Sequence, residues 1–338
     1  MHKFRVTEIT VKKTEGLIQK AHILFENSSQ KRHFLLLPFW AFVWFAIFLG
    51  VLKIASDNYY AKAVDLFDRY DRKMIEWTFG AEFDDHLKIV LLGNSRLRHA
   101  FTAGTQEPET LVLPDGRKAV FLHFSYDAAT FEDFKTITAP LLKEKPDFLI
   151  VQDGVISNSR RDTSFIRGLS ASLLNYSKIR MAGHEPFDAW LLRRSHIMDT
   201  CYESFARNRI ATQVEIMQKR DKHDLSPLNP SYKLAREFLH KAVNAEIPVA
   251  VLRIKSNESM LEDAGYPKDA VDFHGLEENP SKTDLLPEIR KNVFWMFYET
   301  PKGGDHYCDI VHLNKEGRAV FQSWLLDELA KLVPRDTK

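Results

Sequence analysis

Lys88-Ile-Val-Leu-Leu-Gly-Asn-Ser-Arg-Leu-Arg-His-Ala-Phe101 is an apolar run that breaks at Gly93-Asn94-Ser95 and resumes with helical spacing. A short aliphatic run closed by a turn signal reads as a buried strand, here Lys88–Leu92, with a helix starting over Arg96–Phe101. Ser95 then lies at the carboxyl end of the strand. In an open α/β sheet that edge binds ligands, because strand tips and the first turns of the following helices leave a crevice lined by backbone N–H groups.

Working outward, Val120–Phe124, Asp147–Val151 and Pro248–Ile254 read as further strands, separated by helical patterns over Ala129–Lys143 and Tyr232–Ala245. Glu316–Leu332 reads as a C-terminal helix with Val320, Trp324, Leu325 and Leu329 facing inward. This alternation predicts parallel βαβ units and an α/β fold, a three-layer α/β/α doubly wound parallel sheet. Thr105–Lys118 is punctuated by Pro114-Asp115-Gly116, which suits a hairpin. Asp284–Phe297 reads as a helix, with Val293–Tyr298 as a fifth strand in the competing reading. Between Gly154 and Asn229 the strand signal disappears, and Arg160, Arg161, Arg167, Arg180, Arg193 and Arg194 alternate with apolar residues. A helical insertion at about 155–229 with arginines snorkelling on its surface is one account. A cap over the serine or a docking face is the other.

A serine nucleophile needs a base and a group that orients the base. Tyr307-Cys308-Asp309-Ile310-Val311-His312-Leu313-Asn314 offers both just ahead of the last helix. An Asp and a His three apart on one irregular turn let the carboxylate reach the imidazole while the ring faces elsewhere.

The two blocks together resemble the SGNH (GDSL-like) hydrolase superfamily. Gly93-Asn94-Ser95 stands where that family has its nucleophile, and Asp309-Ile-Val-His312-Leu-Asn-Lys-Glu-Gly317 stands where it has the other two triad members. In layout the chain is similar to membrane-anchored members that modify cell-envelope polymers, such as the accessory protein of teichoic-acid D-alanylation. The resemblance implies a flavodoxin-like sheet, a catalytic set of Ser95, Asp309 and His312, and no cofactor. The family's second block carries a glycine, whereas this chain has Ser125-Tyr126-Asp127-Ala128, so the Ala128 N–H is the candidate oxyanion donor there. In the third block, Gln152 and Asn158 are the candidates for a side-chain donor; ionised Asp153 only accepts and would orient a neighbour instead. His99, His123 and His306 are weaker candidates, and no metal-ligand spacing or nucleotide-binding loop is present.

Phe34 to Leu52 reads FLLLPFWAFVWFAIFLGVL without a charge. Nineteen helical residues rise about 28 Å, close to the roughly 30 Å hydrocarbon core of a bilayer. The run is longer than the core of a cleaved signal peptide and its leader exceeds thirty residues, so it reads as an uncleaved anchor. The predicted organisation is a cytoplasmic arm at 1–32, a transmembrane helix at 33–53, a juxtamembrane helix and linker at 54–85, and an SGNH-like catalytic domain at 86–334. Lys31 and Arg32 abut the start of the helix and favour a cytoplasmic N-terminus, but Lys53, Lys62, Arg69 and Arg72 follow it, so charge alone is close to a tie. The family likeness tips the expectation to a single-pass protein of the bacterial inner membrane with its large domain on the periplasmic side.

A net charge of +1 supplies no field for nucleic acid. Cys201 and Cys308 read as isolated buried thiols, with pairing in an oxidising compartment as the alternative. The expected function is a serine esterase or O-acyltransferase acting on an envelope polysaccharide or related polymer through an acyl-serine. By resemblance, transfer implies a multi-spanning acyltransferase partner that delivers acyl groups. A catalytically inactive scaffold of an envelope assembly is the alternative, motivated by the missing glycine.

Overall fold

The computed structural model describes residues 28–101, 108–126, 129–157, 210–220, 228–268, 270–271, 292–301 and 305–334. Six strands form one mixed sheet: β1 (Leu87–Gly93), β2 (Glu109–Val112), β3 (Lys118–Ser125), β4 (Phe148–Gln152), β5 (Val249–Ile254) and β6 (Val293–Tyr298). Their spatial order is β2-β3-β1-β4-β5-β6, with β2 antiparallel to β3 and every other pair parallel. The β2–β3 connection is the hairpin expected at Pro114-Asp115-Gly116, and Gly116 supplies its left-handed residue at φ 87°. Val293–Tyr298 is a strand: its six residues pair along the whole of β5, and those partners settle what an aromatic run leaves ambiguous.

The helices are α1 (Ser28–Thr78), α2 (Ser95–Ala100), α3 (Lys135–Glu144), α4 (Asp153–Ser157), α5 (Ile210–Arg220), α6 (Pro230–Asn244), α7 (Glu258–Asp263) and α8 (Lys315–Leu332). The segment expected as one helix over Ala129–Lys143 begins instead as a 3-10 turn, Phe131–Phe134, with a Thr130 and Asp133 capping box. Alternate strand residues feed two cores. Val90, Leu92, Leu122, Val151 and Val251 pack with Ile137 and Leu141 of α3 and with Tyr232, Ala235 and Leu239 of α6. Ile89, Leu91, Phe121, Ile150 and Leu252 pack with Leu97 of α2 and with Phe321, Leu325 and Leu329 of α8. β1 is buried along its whole length because both of its faces are covered.

Register levels the strand tips. Gly93 lies opposite Ser125, and the pair Leu92–Val151 brings Gln152 to the next step. The chain leaves β1 for β3 on one side and later crosses to β4 on the other. The β1–β4 boundary is therefore where the connections reverse direction, the place at which doubly wound sheets form their ligand crevice.

The anchor and juxtamembrane segments, expected as separate elements, form the single helix α1 of 51 residues, with Pro38 inside it. Its window Pro38–Ala55 has a mean hydropathy of 1.9 and none of it is buried, so this one helix is long and apolar enough to cross a membrane. Phe39, Trp40, Phe42, Trp44 and Phe48 are all exposed along it. The other end is inside the protein: Met74 and Ile75 join the core of Val90, Leu92 and Leu122, and the Tyr126 hydroxyl donates to the buried Asp71 carboxylate. Residues 1–27 and most of the 155–229 insertion, including Arg160, Arg161, Arg167, Arg180, Arg193 and Arg194, lie outside the described residues.

In detergent, Ile75→Ala is expected to lower the unfolding free energy by about 2–5 kcal/mol through the cavity it leaves. Tyr126→Phe is expected to lower it by about 1–3 kcal/mol through loss of the hydrogen bond to a buried carboxylate. Phe48→Ala should leave the denaturation midpoint unchanged, because that ring is 59% exposed.

Candidate active site

The β1–α2 turn is set by close packing. Asn94 takes an extended conformation as the N-cap of α2, and its side chain accepts from the Arg96 N–H at 2.9 Å. Ser95 is therefore the first residue of the helix. The residue before Asn94 must be glycine: a Cβ at Gly93 would lie 2.5 Å from Leu97 Cβ and 2.8 Å from Gln152 Oε1. Gly154 is constrained in the same way, since a Cβ there would lie 2.9 Å from Asn94 Nδ2. Gln152 Oε1 accepts the Asn94 N–H at 2.8 Å. One side chain at the tip of β4 thus fixes the residue before the serine.

Arg96 ties the same turn to the neighbouring elements, donating to the Ile254 carbonyl at 3.0 Å and the Val271 carbonyl at 2.8 Å. Asp153, expected to orient a neighbour, is buried and accepts from Arg253 Nε at 3.0 Å. Arg253 in turn lies over the Phe297 ring, 5.3 Å from its centroid.

The Asp309–His312 turn is held from three directions. Asn314 caps α8 through the Gly317 N–H at 2.8 Å, and its Nδ2 donates to the Asp305 carbonyl at 2.7 Å. Gly317 is needed because a Cβ there would lie 2.0 Å from the His306 carbonyl oxygen. Tyr307 donates its hydroxyl to the Lys255 carbonyl at 2.7 Å, and the Asn257 N–H donates to the Ile310 carbonyl at 2.8 Å. Ile310 and Val311 are buried in a satellite cluster with Ile210 and Val214 of α5 and Leu261 of α7. The described helix of the insertion therefore packs on this turn.

Within the turn, Asp309 Oδ1 accepts the N–H groups of Val311 at 2.9 Å and His312 at 2.8 Å, and Oδ2 accepts Nδ1–H of the His312 ring at 2.8 Å. This leaves His312 Nε2 as the acceptor, and Ser95 Oγ lies 3.0 Å from it. Burial opposes ionisation of Asp309, but the His312 hydrogen bond and charge, with the two backbone N–H groups, outweigh it and hold the carboxyl below its ordinary value. The arrangement can take a proton from the serine hydroxyl at Nε2 and hold the resulting imidazolium against a fixed carboxylate.

Of the candidate oxyanion donors, Ala128 and Asn158 lie outside the described residues. Gln152 is buried at the tip of β4, with its Oε1 on the Asn94 N–H beside the serine turn. His123 is a core residue with Nδ1 3.5 Å from Ser125 Oγ and its ring tilted against Phe101. His99 is different: its ring lies against that of His312, with centroids 4.4 Å apart. Spacing on α2 is the only sequence signal of this, since His99 follows Ser95 by one helical turn.

Cys308 corrects the reading of two isolated thiols, because it is disulfide-bonded. The one other cysteine of the sequence, Cys201, lies outside the described residues. Among the described residues no group of three or more His, Cys, Asp or Glu side chains is placed to hold a metal ion.

No family model matches the sequence, and neither does any curated protein or solved structure.

Gly93→Ala is expected to destabilise the fold by about 1–3 kcal/mol through overpacking against Leu97. Adding Leu97→Ala should not restore stability, because the Cβ at 2.5 Å remains, Gln152 Oε1 still obstructs and a buried leucine is lost from the core. A second expectation concerns acid. A carboxyl lowered by folding contributes stability that is present above its unfolded value of about 4 and is lost as pH falls through the lowered one. The gap in melting temperature between wild type and Asp309→Asn should therefore be widest at neutral pH and close steadily below about pH 4.

Proposed function

We propose that this chain is a membrane-anchored, SGNH-like serine esterase or O-acyltransferase. The observation that carries the proposal is the unbroken relay from Ser95 Oγ to His312 Nε2 at 3.0 Å and from His312 Nδ1 to Asp309 at 2.8 Å. Three residue types from opposite ends of the chain meet at the β1–β4 boundary, where a doubly wound sheet binds ligands. The helices packed on both sheet faces support a three-layer α/β/α doubly wound fold, with β2 as its antiparallel edge.

In the first half-reaction Ser95 Oγ attacks an acyl carbonyl while His312 Nε2 takes the hydroxyl proton. The tetrahedral oxyanion is met by the Ser95 N–H, in the first turn of α2, and by Gln152 Nε2. Loss of one such donor typically costs about 10²–10³ in rate. Collapse expels the alcohol leaving group, which takes the proton from His312, and leaves an acyl-serine. Water or a sugar hydroxyl then repeats the sequence in reverse, giving hydrolysis or transfer.

Placement outside the cytoplasm draws support from the disulfide at Cys308, which suits an oxidising compartment. The apolar window of α1 supports a single-pass anchor. An envelope glycan or related polymer as acceptor, and a multi-spanning acyl donor as partner, follow from the family likeness of the two blocks.

Fluorophosphonate labelling of the detergent-solubilised protein tests the reaction class. Wild type should label at one residue and Ser95→Ala not at all, while Asp309→Asn should label about 10³–10⁴-fold more slowly through the wrong imidazole tautomer. Gln152→Ala should label about 10²-fold more slowly. A folded wild type that takes no label overturns the enzyme and leaves the envelope scaffold standing.

A further inference from the structure

His99 is unused in the relay, yet its ring lies on the His312 ring, with centroids 4.4 Å apart and planes tilted by 37°. It sits four residues after Ser95 on α2, so the nucleophile and this second imidazole ride on the same short helix face. We propose that His99 is a positioning residue for the base, a neutral aromatic plate that keeps His312 in line between Ser95 and Asp309. This rests on the serine-acyl reading of the site and adds a fourth member to it.

The His312 ring is fixed at Nδ1 by Asp309 and at its backbone by the buried neighbours Ile310 and Val311. Those contacts leave rotation about the side chain to be limited by whatever covers the ring face, and His99 covers it. The charged and titratable groups facing His99 are His312, Arg98, Asp309 and Arg318. Burial, then the positive charges of His312 and Arg98, hold the His99 ring down to about 3, so it is neutral at working pH. A neutral ring is what the site requires. When His312 takes the serine proton, an aromatic face beside it favours the cation, whereas a second imidazolium would oppose it. His99 cannot stand in as the base, because Asp309 spends Oδ2 on His312 and both N–H groups of the turn on Oδ1.

The test compares His99→Ala with His99→Phe in the full-length protein in detergent. With the fluorophosphonate probe, His99→Ala is expected to lower the maximal labelling rate about 10–100-fold with half-saturation unchanged, as for a misplaced catalytic group. His99→Phe, which keeps the plate and loses the nitrogens, is expected to stay within about threefold of wild type and to keep the acid limb of the pH profile. Proton NMR of the His312 Nδ1–H gives a second readout that needs no reaction. The downfield signal should be present in wild type and His99→Phe and lost to exchange in His99→Ala.

Wild-type rate and signal in His99→Ala would overturn the proposal. So would loss of the acid limb in His99→Phe, since the titrating base would then be His99. A wild type that never labels but shows this NMR pattern would uphold the positioning role while the acyl-serine reading fails.

Discussion

One carboxylate organises the chemistry end of this molecule. Asp309 receives the N–H of Val311, the N–H of His312 and the ring N–H of His312, so a single side chain both closes the turn and aims the imidazole. Burial alone would favour its neutral form, and the three donors overcome that. A neutral Asp309 would loosen the backbone and release the ring together. The closure of the turn and the aim of the ring thus draw on the same ion, and the surrounding clips hold the donors in place.

Those clips come from distant parts of the chain. The caps at Asn94 and Asn314 fix where α2 and α8 begin, and glycines at 93, 154 and 317 permit approaches that a Cβ would block. None of these contacts is strong alone. Their effect is geometric, because Ser95 and His312 sit on separate elements and a shift of about 1 Å in either would break the hydrogen bond between them.

Much of this could be read from residues alone. The parallel strands were legible because runs such as Ile89–Leu92 and Val249–Leu252 are aliphatic throughout, as strands buried on both faces are. Ser95, Asp309 and His312 were legible from chain order and local turn chemistry. Other features depend on partners far away in sequence. Val293–Tyr298 could be assigned only once β5 lay beside it, and the contact of His99 with His312 exists only after the fold brings the last turn to α2. The two halves of α1 looked like separate elements because the composition changes from apolar to charged. That change records a change of surroundings, and both halves suit a helix. The bonded state of Cys308 had no local signal at all, since two cysteines can pair or not with the same sequence around them.

The unbroken course of α1 makes it a shaft between its apolar window and the sheet. From Ala55, the end of the apolar window, to Asp71 is 71 − 55 = 16 residues, or about 24 Å of rise at 1.5 Å per residue. With the window seated in a bilayer, that count fixes the altitude of the crevice. It also fixes its azimuth, because each residue inserted or removed turns the sheet by roughly 100° about the shaft. Adding roughly seven residues, close to two full turns, would raise the crevice and leave its compass bearing nearly the same, whereas adding about two would swing it to the far side.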